Sequence, residues 1–191
     1  MKILTKFTSK SGKEILVIEP DMKFLNQITE FINRLAKEDT FLSFSVQKEI
    51  SKHEEKNVLK NLFNQMKWGK AFSCWAIYDN KVIASSDIFR GGFREQHIGK
   101  ISVMVDKEFR EDGIGKFLID FILEKAKAMK IKIVSLTVFS DNEIAIKLYK
   151  QFGFKEWGRL PNGLFRKNKY SDTVKMYKEI SSFAKATEDK L

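Results

Sequence analysis

Residues 101–129, ISVMVDKEFREDGIGKFLIDFILEKAKAM, constrain this chain more than any other stretch. Ile101, Val103 and Val105 alternate with Ser102, Met104 and Asp106, the period of a strand. From Ile114 the period changes. Ile114, Phe117, Leu118, Phe121, Ile122 and Met129 then fall mostly at three- and four-residue spacing, so they share one helix face. Between the two runs lies a turn, Arg110-Glu111-Asp112-Gly113-Ile114-Gly115. A strand, a glycine turn and a helix start together make an anion site. The first turn of a helix has unpaired N–H groups and the positive end of its dipole. Glycine lets a phosphate oxygen approach that backbone closely. Arg110 and Lys116 add positive charge. The spacing is neither G-x-x-x-x-G-K-[ST] nor G-x-G-x-x-G, so neither common nucleotide loop is present.

The flanking sequence places this unit in a mixed fold. Residues 13–20 read as a strand ended by Pro20, and Asp21 caps a helix over about 21–38 with Phe24, Leu25, Ile28, Phe31, Ile32 and Leu35 inward. A second helix is expected over about 45–68, starting at Ser45. Three antiparallel strands follow, at 72–78, 81–89 and 96–105, joined by Asp79-Asn80 and a Gly91-Gly92 loop. After the motif helix comes a strand over 131–139; strand, helix and strand in succession imply a right-handed crossover and a parallel pair. Ser140-Asp141-Asn142-Glu143 has the S-x-x-E form of a capping box. The next helix presents Ala145, Leu148, Tyr149 and Phe152 on one face and stops at Gly153. Strands over 154–160 and 169–180, separated by a turn at Pro161-Asn162-Gly163, complete the core, and residues 182–191 read as a disordered tail.

Composition narrows the function. The 191 residues suit one domain, here 1–181. The net charge of +10 favours an anionic ligand. It also admits nucleic acid, but Lys and Arg are interleaved with Glu and Asp, which is the pattern of a solvated surface. The single cysteine, Cys74, lies in an apolar run and reads as a buried thiol. His53 and His97 are the only histidines, so no histidine-rich metal site is expected. Without an apolar leader or a span of eighteen apolar residues, a cytoplasmic protein with no membrane partner is expected.

The turn also fits R/Q-x-x-G-x-G/A, and in this it resembles the coenzyme-A motif of the GNAT superfamily of N-acetyltransferases. A second segment strengthens the resemblance. Asn142, Ala145, Leu148, Tyr149, Gly153 and Phe154 match N-x-x-A-x-x-L-Y-x-x-x-G-F at every fixed position. The resemblance implies an α+β fold: a mixed, mostly antiparallel sheet of six to seven strands with about four helices. It implies acetyl-CoA as cosubstrate, no metal, and direct transfer of an acetyl group to a primary amine of a small molecule or protein. Val103, Met104 and Val105 would offer backbone groups to the pantetheine arm. Arg110, Glu111, Asp112, Gly113, Ile114, Gly115 and Lys116 would surround the pyrophosphate, Asn142 would touch the cofactor arm, and Tyr149 would protonate the leaving thiolate. A homodimer is compatible with the family.

This chemistry needs three things: a base for the ammonium proton, a donor for the oxyanion, and an acid for the thiolate. Two departures from the family pattern stand out. Glu111 and Asp112 put two carboxylates beside the expected pyrophosphate. In addition, His97-x-x-Lys100-x-Ser102 resembles a phosphinothricin-type subgroup that carries Glu where Lys100 stands. Glu38, Asp39, Asp87, His97 or an ordered water remain as bases. Phe41, Phe44 and the Gly91-Gly92 loop are the expected acceptor-specificity positions. The acidic pair and the missing Glu also admit a module that binds acyl-CoA without turnover.

Overall fold

The computed structural model describes residues 1–38, 49–166 and 168–180. Its strands and helices are β1 (Ile3–Thr8), β2 (Glu14–Ile18), α1 (Leu25–Lys37), α2 (Lys52–Lys67), β3 (Ala71–Tyr78), β4 (Lys81–Arg90), β5 (Ile98–Val105), α3 (Ile114–Ala128), β6 (Ile133–Phe139), α4 (Glu143–Gln151), β7 (Lys155–Arg166) and β8 (Lys169–Glu179). They build a mixed α/β fold on one eight-stranded sheet, ordered β1-β2-β3-β4-β5-β6-β8-β7. Every neighbouring pair is antiparallel except β5 and β6.

The sheet separates two layers of helices. Strand side chains alternate between its faces. On β3, Trp75 and Ile77 therefore pack with Ile28, Phe31 and Leu35 of α1 and Leu59 of α2. Cys74 and Ala76 point the other way, onto Ile114 and Leu118 of α3. Further along that second face, Ile119 and Ile122 of α3 meet Ile101, Val134, Leu136, Val174 and Met176, and Ala145, Ile146, Leu148 and Tyr149 of α4, with Phe152 just after it, close over them. Ile122 is fully buried; truncating a core side chain of this kind to Ala costs about 2–5 kcal/mol.

The feature that creates room for a ligand is the divergence of β5 from β6. Their parallel rungs run from Ile98↔Ile133 through Gly99↔Val134 to Lys100↔Ser135 and extend no further among the described residues. Beyond that point β4 holds β5 as far as Val105↔Ala84, and β8 holds β6 as far as Phe139↔Thr173. The C-terminal halves of β5 and β6 are thus each anchored on the outer side only. Between them lies a wedge bordered by strand backbone.

Several elements differ from the sequence expectation. The sheet has eight strands rather than six or seven, because β1 pairs with β2. Its sequence, ILTKFT, is half exposed and alternates weakly, as an edge strand can. The second helix, α2, starts at Lys52, and the expected start at Ser45 lies outside the described residues. Ser51 caps it, accepting from the Glu54 N–H while the Glu54 carboxylate accepts from the Ser51 N–H. The strand expected from 131 begins at Ile133. Ser140 does not cap α4; Asn142 does, its Oδ1 accepting from the Ala145 N–H at 3.2 Å. Ser140 Oγ instead accepts from the Asp172 N–H of β8 at 3.2 Å. Pro161, Asn162 and Gly163 lie within β7, at an irregularity between Leu160 and Leu164, rather than separating two strands. Phe41, Phe44, Asp39 and the expected C-terminal tail fall outside the described residues.

Candidate active site

The glycine turn sits at the mouth of the wedge, directly after β5. Gly113 has φ +86° and is the N-cap of α3. A side chain is strained there, since left-handed backbone favours glycine. The helix opens with the Phe117 N–H donating to the Gly113 carbonyl at 3.0 Å. Gly113 offers no capping side chain, so the amides of Ile114, Gly115 and Lys116 face outward as free donors by helix geometry. A methyl group on Gly115 would stand 3.7 Å from Cγ2 of Val105 and 3.9 Å from Cδ2 of Leu148. The turn therefore touches both the end of β5 and the packed face of α4, and the two sequence motifs meet in space.

The charged residues of the turn have distinct surroundings. The Arg110 guanidinium donates to the Val105 carbonyl at 3.1 Å and to Glu38 at 2.5 Å, linking the end of α1 to the end of β5. A parallel link joins Arg34 to Asp106 at 2.8 Å. Glu111 is exposed and has φ +64°. Asp112 is turned toward the β1–β2 hairpin, where Ser11 bonds both its carboxylate oxygens. These bonds hold the Asp112 carboxyl below the usual carboxylate range. Lys116 is exposed on the first turn of α3.

On α4, Asn142 spends its side-chain oxygen on the cap, and Tyr149 follows two turns later. The Tyr149 ring lies edge-on to Phe154 with centroids 5.7 Å apart. It packs against the cluster that contains Ile101 of β5 and Leu136 and Val138 of β6. Burial pushes its phenol up to about 12, so it stays protonated at neutral pH.

The opposite face of β4 and β5 carries a polar cluster that sequence spacing alone does not reveal. Ser73, Asp87 and Ser102 are direct neighbours across β3, β4 and β5. Ser73 Oγ donates to Asp87 Oδ1 at 2.5 Å, and Ser102 Oγ donates to Oδ2 at 3.1 Å. Asp87 is half-buried and Ser102 exposed, one residue past Ile101, where β5 has just left β6. Burial raises the Asp87 carboxyl above its ordinary value, and the two serine bonds oppose that shift. Met104 shares this face and packs toward the α1–α2 layer, whereas Val103 and Val105 pack toward α3. The polar register is the one signal that could single out this cluster: once β3, β4 and β5 are paired, Ser73, Asp87 and Ser102 fall on a single line.

Other residues singled out in the sequence lie elsewhere. Glu38 is occupied by Arg110. His97 is at the far end of β5 from the turn, and its carbonyl accepts from Lys132 and Ile133 N–H at 2.8 and 3.1 Å. Gly91 and Gly92 lead into a short 3-10 turn at Phe93–Glu95, with Phe93 95% exposed. Cys74 is buried, and burial pushes its thiol pKa up, away from nucleophilic use. None of the helices among the described residues is long and apolar enough to cross a membrane.

A diverging parallel pair with a glycine turn at its mouth leaves a cleft bordered by strand backbone and the first amides of α3. Residues 32–154, well over half of the chain, match the model of the Acetyltransferase (GNAT) family. The chain belongs to that family. An L-amino acid N-acetyltransferase of Escherichia coli is 30% identical over 84 residues, which cover 44% of this chain and 52% of that protein. The matches span about half to 60% of the length of two curated relatives and 24% of a third. A GNAT-family acetyltransferase of Streptococcus pneumoniae has a similar structure, with TM-score 0.77, 24% identity, and coverage of 87% of this chain and 99% of that one. A phosphinothricin acetyltransferase of Sinorhizobium meliloti, solved in complex with acetyl-CoA, gives TM-score 0.75 at 16% identity, covering 91% of this chain and 89% of that one. At these identities the structural likeness establishes the fold.

Proposed function

We propose that this protein is an N-acetyltransferase that uses acetyl-CoA and transfers the acetyl group directly to a primary amine. The observation that carries this reading is the wedge between β5 and β6, bordered by the Gly113 turn and roofed by α4 with Tyr149. Acetyl-CoA fits what is present. The open side of β5 offers the backbone groups of Val103 and the N–H of Val105 to an amide-containing arm, much as a strand would, whereas Met104, expected to contribute as well, turns its backbone toward Ser85 of β4 and the Val105 carbonyl is held by Arg110. The amides of Gly113, Ile114, Gly115 and Lys116 suit a pyrophosphate, with the Lys116 ammonium nearby. Asn142 stands at the start of the helix that roofs the wedge. Acetyl-CoA supplies the activated acetyl group.

The chain's own residues would manage the protons. Tyr149 holds a phenolic proton at the position that the family resemblance assigns to the leaving-group donor. Asp87 is the base candidate that the geometry favours. It sits on the face opposite α3, one strand from the wedge, and its anionic form would attract the acceptor's ammonium and take its proton. Its raised pKa brings it nearer the working range of a base.

The amino-acid substrate named for the Escherichia coli relative makes small amino compounds the first acceptors to test. Of the acidic pair, Asp112 is already bonded by Ser11, which weakens one ground for a module without turnover. The experiment is thiol release from acetyl-CoA over a panel of L-amino acids, other small amines and peptides. Amine-dependent release is expected. Tight CoA binding with no amine-dependent release would overturn the catalytic reading.

A further inference from the structure

The β1–β2 hairpin grips the acidic side of the phosphate turn from a hundred residues away in sequence. Its tip, residues 9–13, is internally bonded: Ser9 accepts from Gly12 and donates to Lys13 through the backbone, and Gly12 has φ +83°. From this tip the Ser11 N–H donates to Asp112 Oδ1 and Ser11 Oγ donates to Oδ2, both at 2.6 Å. Lys13 Nζ lies 3.8 Å from the same carboxylate and donates to Ser11 Oγ at 2.5 Å. Lys10 bonds the turn's backbone. Its N–H donates to the Asp112 carbonyl and its Nζ to the Glu111 carbonyl, each at 3.1 Å. Beneath these polar bonds, Phe7 of β1 stacks on Phe117 in the first turn of α3, with centroids 3.9 Å apart.

The planarity of the peptide bond turns this grip into an orientation. In a trans peptide the N–H points away from the carbonyl of the same unit. No peptide bond in the described structure is cis. With the Glu111 and Asp112 carbonyls drawn toward Lys10, the N–H groups of Asp112 and Gly113 face the side away from the hairpin. The same bonds draw the Asp112 carboxylate to the hairpin side, where its charge is shared with Ser11 and Lys13. Left free on a turn, that carboxylate would oppose any phosphate bound to the amides.

We infer that the β1–β2 hairpin is a positioning element of the cofactor site: through Ser11 and Lys10 it turns the acidic loop so that its amides, and not its carboxylate, face the pyrophosphate of CoA. The inference rests on the acetyl-CoA reading above. It also accounts for the presence of Asp112 in the motif, since the acid is the handle by which the turn is held.

The test measures CoA binding by calorimetry for the full chain, and the Michaelis constant for S-acetylpantetheine, which lacks the phosphates. Ser11→Ala releases one carboxylate oxygen and should weaken CoA binding roughly three- to tenfold at low salt, with the loss shrinking as salt rises. Adding Asp112→Asn to Ser11→Ala removes the freed charge and should recover most of the affinity. Lys10→Met should weaken CoA in the same way, and none of these changes should alter the S-acetylpantetheine constant. Thermal midpoints within a few degrees of the parent chain confirm folding. Unchanged CoA affinity in both Ser11→Ala and Lys10→Met would overturn the inference. So would a loss that Asp112→Asn fails to restore, or an equal loss with S-acetylpantetheine. Absence of CoA binding by the unaltered chain would overturn the acetyl-CoA reading itself, and the inference with it.

Discussion

Replacing Tyr149 with phenylalanine removes one oxygen and leaves the ring that packs against Phe154 at 5.7 Å. Burial sets the size of the expected effect. A phenol held at about 12 gives up its proton reluctantly. Against a thiol of ordinary pKa near 8.5, full transfer to the thiolate is uphill by about 5 kcal/mol, at about 1.4 kcal/mol per pKa unit. Tyr149 therefore acts best as a fixed hydrogen-bond donor to charge that develops on sulfur. Loss of one such preorganised donor costs on the order of 10²–10³ in turnover, or about 2.7–4 kcal/mol of barrier. We predict that Tyr149→Phe lowers kcat by this factor, leaves CoA affinity within twofold, and leaves the thermal midpoint nearly unchanged. The assay is thiol release at saturating acetyl-CoA, with calorimetry for CoA. A second signature follows from the same pKa: in the parent enzyme, loss of the Tyr149 proton contributes no alkaline fall in rate below about pH 11. Turnover within twofold of the parent would refute the donor role and make Tyr149 a packing residue.

Three further perturbations probe the other parts of the site. Asp87→Asn keeps a side chain that Ser73 and Ser102 can still bond, yet should lower turnover by on the order of 10²-fold or more. Because folding raises the Asp87 pKa above 3.8, the folded state binds the extra proton, and stability falls as pH rises through the raised value. Asp87→Asn should accordingly raise the thermal midpoint at pH 7 and not at about pH 3; the opposite pattern would contradict the burial argument. Gly113→Val places a branched side chain where φ is +86°, and should weaken CoA binding at least roughly tenfold by calorimetry; unaltered affinity would remove this turn from the cofactor site. Gly99→Ala would set a methyl group 2.7 Å from Cδ1 of Ile88 and 2.8 Å from Cδ1 of Ile131, at the paired end of β5. Denaturant unfolding should show a loss of about 1–3 kcal/mol.

Much of the site is legible in the amino-acid sequence because its signals are local. Gly113 announces a left-handed turn through its own lack of a side chain, and the change of period at Ile114 announces the helix. Strand, helix and strand over residues 98–139 imply the parallel pair that the fold contains. The second motif gives α4 and its inward Tyr149 by helical spacing. Where two local signals compete, neighbouring residues cannot choose between them. Ser140 and Asn142 are both good caps, and Ser140 is taken out of contention by Asp172 of β8, thirty-two residues on. The first strand escapes a reading of periodicity because an edge strand needs only half a buried face, which leaves little alternation to see.

Pairings between distant segments settle the remainder. Asp87 is one acid among many until the register of three strands lines it up with Ser73 and Ser102. Glu38 is a candidate base until Arg110, seventy-two residues away, occupies it. Asp112 looks misplaced beside a phosphate until Ser11 turns it aside. Where the backbone must bend and which faces must be buried were written in the chain itself, since those depend on a residue and its near neighbours. Which charges remain free to do chemistry depends on what the completed sheet brings beside them.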